Sequence, residues 1–387
     1  MPQVAPCTVS AHRISDMIET ERDIMLLGGG HSHVEVIRRL GQLGLGSRIT
    51  LVSPGKHAPY SGMLPGYIAG IYGFEDFHID LQALCARFGV TFQETVASHI
   101  DPDRRVVRLA DGSDLSYRQL SIDIGSTPSL PSGITGGISV KPIASFTDRL
   151  SCLDRLIGDG NLLKLVVVGQ GVAGVEVAFA LRQRFAGRGV QITLVGRSTE
   201  PLRERSFLAR RLVLRQMKRA GIAHQGSFDV VGFANGELVS RDGRRLGADE
   251  VIWTTSSGSQ GFLRDSGLLL DAGGFIRVGA SLRSLSHPDV FAAGDVASLV
   301  DPRPKAGVFA VRQGPILAEN ILRSLRGQPL LAYRPQRSWL VLISLPENQA
   351  IADKWGLAVS GRWVARWKDR IDRRFMQRYA SGDQSAR

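Results

Sequence analysis

Cysteine is scarce in this sequence. Three thiols, Cys7, Cys85 and Cys152, serve 387 residues, and no two lie close enough for a C-x-x-C pair. That spacing argues against a disulfide framework, a zinc site and a redox-active dithiol. Acids are outnumbered too: 36 Asp and Glu face 48 Lys and Arg, a formal net charge of +12. Such a surplus favours anionic partners, whether nucleotide phosphates, nucleic acid or acidic lipid. Long apolar runs are missing. The most apolar stretch, 162–181, is broken by Gln170 and Glu176 and reads as no membrane span. No charged start followed by an apolar core suggests a secretory leader.

Glycine, by contrast, is plentiful, with 44 residues, as expected of many tight strand-to-helix turns. The length and a hydrophobic content of 43% are enough for two or three domains with full cores. Residues 1–22 are mixed and aperiodic and read as a mobile tail. From Asp23 onward, strand and helix patterns alternate. "DIMLLGGGHSHVE" (23–35) predicts a strand, a glycine turn and a helix, and "SRITLVS" (47–53) the next strand. This is a βαβ unit, the building block of parallel sheets. The unit recurs at 162–195, as "LLKLVVV", "GQGVAG", a helix and "VQITLV". Between and after these units, "LADGSDL" (109–115) and "VSRDGRRL" (239–246) carry Asp-Gly and predict hairpins.

The second glycine motif fits a dinucleotide turn. Gly169 permits the sharp bend, Gly171 lets a pyrophosphate approach the backbone, and Gly174 lets helix and strand pack closely. The strand after it ends Val195-Gly196-Arg197. The acid that usually binds NAD ribose hydroxyls is missing, and Arg197 is available either to a 2′-phosphate or merely to solvent. In the first motif, Gly28 and Gly30 keep the first two positions while His33 takes the third. A ring there must tilt the helix or point elsewhere. Its second strand ends in Ser53-Pro54, again without the acid. His31 and His33 invite a metal pair, but no third ligand accompanies them, so no metal is expected.

A third motif, "HPDVFAAGDVA" (287–297), is an apolar strand running into Gly294-Asp295. At the far end, "GRWVARWKDRIDRRFMQRYA" (361–380) is basic and amphipathic. Trp363, Trp367, Ile371, Phe375 and Tyr379 recur every four residues and are expected on one side of a helix. This helix either meets an anionic membrane surface or packs on protein with its arginines solvated.

Taken together, "GGGHSHVEVIRRL", "PYSGMLPGYIAG", "HIDLQALC", "LSIDIGSTP", "GQGVAGVEVAFAL", "VFAAGDVA" and "PKAGVFAVRQGPILAEN" resemble the pyridine-nucleotide-dependent flavoprotein superfamily. Within it the chain is similar to type II NADH:quinone oxidoreductases, and more narrowly to the flavoprotein fused to, or encoded beside, selenide,water dikinase. The resemblance spans about 23–379 and implies an α/β fold with two Rossmann-like domains. The nucleotide domain is inserted in the FAD domain, and a small C-terminal module closes the chain. The implied division is a tail at 1–22, FAD-domain segments at 23–145 and 262–330, an NAD(P)H-binding domain at 146–261 and a C-terminal module at 331–387.

The resemblance implies non-covalent FAD held by Gly28, Gly30, His31, Ser53, Pro59, Gly125 and Asp295, with the Asp295 carboxylate on the ribityl chain. It implies NADH or NADPH, as electron donor, held by Gly169, Gly171, Gly174 and Arg197, with Glu176 near the nicotinamide and flavin. Where disulfide reductases place their redox cysteines, this chain has Ser61, Gly62 and Met63. Electrons are therefore expected to leave reduced flavin directly for an external acceptor. Gln313 survives from the paired-glutamine pattern of the quinone site, but Phe309 stands at the earlier position, and Lys305 is a candidate for stabilising negative charge. Sulfide:quinone chemistry needs two cysteines at the flavin, and none follows Cys152.

The expected activity is that of an NAD(P)H oxidoreductase whose acceptor, quinone or another, is unidentified. A soluble reductase or oxidase in selenium, sulfur or specialised metabolism and a non-catalytic flavin sensor stay open beside it. A cytoplasmic protein, on the membrane surface or free, and a homodimer are compatible with the sequence. No nucleic-acid recognition module accompanies the charge, so nucleic acid is not an expected partner.

Overall fold

Two parallel sheets, each of five strands, organise the chain. In the computed structural model the described residues are 23–131, 133–158, 163–255 and 257–380, so the expected tail at 1–22 lies outside them. The first sheet runs Val290–Ala292, Gln119–Ile122, Ile24–Leu27, Ile49–Ser53, Thr91–Glu94, every neighbouring pair parallel. Ile24–Leu27 lies in its middle with all four residues buried. A strand covered on both faces reads as a continuous apolar run, which is why "IMLL" does not alternate. The helices His31–Gln42 and Gly307–Leu325 pack against each other closely. A Cβ on Gly314 would come within 2.8 Å of the Glu35 side chain.

The second sheet runs Ile138–Ser139, Glu250–Trp253, Leu163–Val168, Val190–Val195, Ala223–Gln225, also parallel throughout. Its strands fall between Gln119–Ile122 and Val290–Ala292 in the sequence. The first sheet is therefore completed only after the second has been laid down. The chain crosses between them at a short antiparallel pair, Thr127–Pro128 with Ser257–Gly258. The fold class is α/β, with two Rossmann-like units.

Both Asp-Gly sites are hairpin turns. Gly112, at φ +86°, lies between Val106–Leu109 and Asp114–Ser116. Gly243, at φ +87°, lies between Glu237–Ser240 and Arg245–Gly247. The C-terminal part is a three-stranded antiparallel sheet, Val341–Leu345, Gln349–Lys354 and Leu357–Gly361, followed by the helix Arg362–Gln377.

One expectation about that helix needs correction. Phe375 and Tyr379 are buried, but Trp363, Trp367 and Ile371 are exposed. A spacing of four overshoots a turn of 3.6 residues by roughly 40° per step, so the stripe winds around the helix instead of keeping one side. The buried end joins the first domain's core, and the exposed end is left at the surface.

Candidate active site

The first glycine turn is built from close approaches. Gly28 takes φ +89°, and a Cβ there would lie 2.4 Å from the Asp123 carbonyl oxygen. Gly30, the N-cap of His31–Gln42, has no capping side chain. The N–H groups of a first helical turn have no intrahelical partners. Here the Ser32 N–H donates to Asp123 Oδ2 at 2.9 Å. Asp123 is buried, and that burial lifts its carboxyl to about 7.

His33 resolves the puzzle of the missing third glycine. Its ring is fully buried, with Nδ1 2.7 Å from the Gly28 carbonyl and Nε2 2.8 Å from Ser121 Oγ. A carbonyl only accepts, so Nδ1 carries the proton and Nε2 accepts from the serine hydroxyl. Burial pulls its pKa down to about 4, which keeps the ring neutral. The imidazole thus ties the turn to the neighbouring strand, replacing glycine's close packing with two hydrogen bonds.

His31 is half-buried, its pKa drawn down to about 4 by desolvation, and its Nε2, shielded from solvent, has no partner. The ring lies beside Tyr60 and Phe375, at centroid distances of 5.4 and 6.0 Å. A Cβ on Gly307 would stand 2.9 Å from Ser61 Oγ and 3.8 Å from His31 Nε2. The glycine approaches, this orphaned nitrogen and the helix-start N–H groups other than that of Ser32, which Asp123 already holds, fit a dinucleotide's phosphates and the ring system attached to them.

Asp295 follows Gly294, which is at φ +66°. Its Oδ2 accepts from Lys141 Nζ at 2.6 Å and from Ser126 Oγ at 3.1 Å. Lys141 also reaches Ser257 Oγ at 3.3 Å. It arises next to the second sheet's edge strand and reaches a carboxylate of the first domain. The sequence reading missed both Lys141 and Asp123. The basic residue just past the strand 138–139 and the acid inside "LSIDIGSTP" were the available signals.

Gln313 and Lys305 converge with Asp295 on one cavity of 260 Å³, which Asp271, Phe275 and Phe309 also line. Neither side chain is free. Gln313 is buried and accepts the Gly294 N–H at 2.6 Å, so it holds the turn that presents Asp295. Lys305 donates to the Ala297 carbonyl at 2.5 Å and stands 4.0 Å over the Phe275 ring. Burial lowers its pKa, with Asp295 and Asp271 opposing. Gly125 takes φ +68° beside this region, Ser53 ends the strand Ile49–Ser53, and Pro59 closes the short strand His57–Pro59.

The second glycine turn is tighter. Gly169 takes φ +122°, and its N–H donates to the Val195 carbonyl at 2.9 Å. A Cβ on Gly174 would fall 1.8 Å from the Gly169 oxygen, so the third glycine is sterically required. Gly171 has open space around it and caps Val172–Arg184 without a side-chain bond. This arrangement leaves the helix start free for phosphate. Arg197 is exposed just past the end of Val190–Val195.

Glu176 sits on this helix but looks toward the C-terminal module. Its Oε1 accepts from the Ser344 N–H at 2.8 Å. Burial raises its pKa, and the Lys368 charge opposes the rise. It lines a cavity of 580 Å³, together with Gly66, Tyr72, Phe179, Arg366 and Lys368. Lys368 Nζ donates to the Gly62 carbonyl at 2.6 Å and to Asp372 Oδ2 at 2.7 Å. The cavity wall thus reaches the segment Ser61-Gly62-Met63. Cys85 is buried, its thiol pushed up to about 12 by that burial, and Cys152 is exposed on another helix. Among the described residues no cluster of His, Cys, Asp and Glu could hold a metal ion, and no helix is long and apolar enough to cross a membrane.

Comparison with known proteins agrees with this geometry. The model of the pyridine nucleotide-disulphide oxidoreductase family matches residues 22–314. A demethylphylloquinone reductase of Synechocystis is 25% identical over 366 residues, covering 89% of this chain and 90% of that protein. The ferroptosis suppressor protein 1 of Taeniopygia guttata is 26% identical, covering 72% and 74%. Among solved structures, the sulfide:quinone oxidoreductase of Aquifex aeolicus superposes with a TM-score of 0.76 at 18% identity, over 92% of this chain and 91% of that one. At that identity the likeness speaks for the fold.

Proposed function

We propose an electron acceptor from the premise that the chain belongs to the pyridine nucleotide-disulphide oxidoreductase family and is an FAD-dependent NAD(P)H oxidoreductase. The acceptor is a small oxidant of the quinone class, and it binds in the 580 Å³ cavity beneath the C-terminal helix. One observation carries this reading. The cavity wall, through Lys368 on Gly62, abuts the segment Ser61-Gly62-Met63, which has no thiol and where the resemblance to disulfide reductases implies a dithiol. The likeness to a demethylphylloquinone reductase supports it.

FAD, when bound, accepts two electrons from the nicotinamide and releases them to the second substrate. The chain's own residues place the partners. The first helix start and Asp295 would hold the FAD, while Gly171 and the start of Val172–Arg184 would hold the NAD(P)H diphosphate. NAD(P)H supplies two electrons and one proton as hydride, so reduction of a quinone to a quinol needs one further proton. Glu176, whose pKa burial moves upward against the Lys368 charge, is the group in the cavity that can deliver a proton, and Lys368 stabilises negative charge developing on the acceptor oxygen.

The surface beside the cavity fits an anionic lipid surface. Trp363, Trp367 and Ile371 are exposed on the C-terminal helix, and Leu357 and Val359 are exposed on the strand before it. Arg362, Arg366 and Arg373 line the cavity on the same helix. Aromatic rings at headgroup depth and arginines on acidic lipid would bring the cavity to an acceptor dissolved in the bilayer.

Anaerobic mixing with NADH or NADPH tests the reading. The flavin absorbance should bleach, and a short-chain quinone should restore it. A flavin that neither nicotinamide bleaches, or that bleaches but ignores quinone, would sink it.

A further inference from the structure

The strand Val190–Val195 ends at Gly196, where an NAD-binding strand presents an acid to the adenosine ribose. No side chain fits there, since a Cβ on Gly196 would come within 2.7 Å of the Gln170 side chain. The chain beyond folds back over the glycine turn and is pinned at three points, each bond 2.9 Å long. Phe228 N–H donates to the Gly196 carbonyl, Ser227 N–H to the Ser198 carbonyl, and Leu202 N–H to the Gln170 carbonyl.

This held loop carries Arg197, Ser198 and Arg203. Both arginines are exposed, and among the described residues neither has an ion-pair partner. Of the loop's two acids, Glu200 is engaged by Arg210 at 3.5 Å, and Glu204 is exposed one position past Arg203. Beneath lies Gln170, only 8% exposed. One end of its amide meets His224 Nε2 at 2.7 Å, while its Oε1 has no partner. Burial lowers the His224 pKa, so that ring is neutral at pH 7. The buried amide therefore keeps one end for a group entering beside Gly196, and turning the amide over changes that end from acceptor to donor.

We propose that this loop selects nucleotides carrying a 2′-phosphate, so that the electron donor is NADPH rather than NADH. The inference rests on the nicotinamide-donor reading above and sharpens it. A 2′-phosphate is a dianion that offers three acceptor oxygens. Two free guanidiniums and a serine hydroxyl meet it with charge and planar donors, and no acid at the strand's end repels it. NADH offers only hydroxyls at that point, with no carboxylate to receive them.

The test is calorimetric titration of the full chain with two probes that differ only in this group, adenosine 2′,5′-bisphosphate and 5′-AMP. The bisphosphate is expected to bind at least about tenfold more tightly. Arg197→Ala and Arg203→Ala should each shrink that ratio by weakening the bisphosphate more than 5′-AMP. Equal affinities, or tighter 5′-AMP, would overturn the proposal and leave the donor reading intact. A ratio that survives both substitutions overturns it equally. Failure of either probe to bind, with a flavin that neither NADH nor NADPH bleaches, removes the donor reading and the inference together.

Discussion

Lys141 Nζ stands 2.6 Å from Asp295 Oδ2, an ion pair that joins the two Rossmann-like units across the cleft expected to hold flavin. Ser126 completes the arrangement by donating to the same oxygen. The carboxylate is thus fixed in place before any sugar hydroxyl reaches it. Removing it deletes a charged hydrogen-bond acceptor, worth roughly 1.5–3 kcal/mol. Asp295→Ala should therefore weaken FAD by about ten- to a hundredfold, read by flavin titration and by the visible-to-protein absorbance ratio after purification. Full flavin retention in that variant would mean that the carboxylate does not touch the cofactor.

His33 makes a stability prediction with a definite sign. Its folded pKa, about 4, lies below its ordinary 6.5. Above pH 6.5 neither the folded nor the unfolded chain protonates it. Between 6.5 and 4 the unfolded chain takes the proton and the folded chain does not. Stability is therefore fullest above pH 6.5 and falls as the pH drops toward 4, by about 3 kcal/mol at most. His33→Gln should flatten this slope in denaturant titrations run at several pH values. It should also cost about 1–3 kcal/mol at neutral pH, because at least one of the Gly28 and Ser121 bonds is lost.

Gly171→Glu separates the two nucleotide sites. Gly171 has ordinary φ and open space, so a side chain fits without strain. A carboxylate at that helix start repels the diphosphate that the helix would hold. The purified protein should keep its yellow colour, yet NAD(P)H should bleach it more than about a hundredfold more slowly, as expected once about 2.7 kcal/mol of binding is lost. Loss of colour instead would place FAD at this turn.

Most of the frame was legible in the sequence because it rests on local signals. The continuous apolar runs at Ile24–Leu27 and Leu163–Val168, the glycines at strand ends and the two Asp-Gly turns each report short-range geometry. What escaped depends on contacts between distant residues. Nothing near His33 reveals that Ser121 will accept its partnership, and nothing near Lys141 reveals Asp295, 154 positions away. Gln313 reads as an acceptor-site residue, whereas its amide holds the Gly294 turn. The aromatic stripe from Trp363 to Tyr379 was visible, but its winding decides which rings meet solvent, and only the packed neighbours of Phe375 fix that phase.

The exposed part of that stripe yields a direct test of lipid docking. Trp363 is 55% and Trp367 is 40% exposed, with ring centroids 6.5 Å apart. Sedimentation with vesicles of anionic phosphatidylglycerol should pull down the protein at low salt and less of it at high salt. The double substitution Trp363→Ser, Trp367→Ser should reduce binding by about tenfold or more, with flavin content unchanged. Equal binding to neutral vesicles, or none to either, would count against a basic-aromatic membrane face.

Glu176 decides between two locations for its chemistry. The family resemblance implies a place near the nicotinamide and flavin, while the structure turns its carboxyl to Ser344 and the 580 Å³ cavity. Glu176→Gln keeps the shape and the Ser344 bond but removes the titrating proton. If the carboxyl supplies a proton to the acceptor, bleaching by NAD(P)H should be unchanged in the variant. Reoxidation by a short-chain quinone should slow by about ten- to a hundredfold. The protonated form is the active one, so the native reoxidation rate should fall as the pH rises through the carboxyl's pKa. Burial moves that pKa upward, so the fall should come at a higher pH than an exposed glutamate would give. The variant should lose this dependence. Slowed bleaching with normal reoxidation would return the residue to the nicotinamide side, and two unaffected half-reactions would leave the cavity without its proton donor.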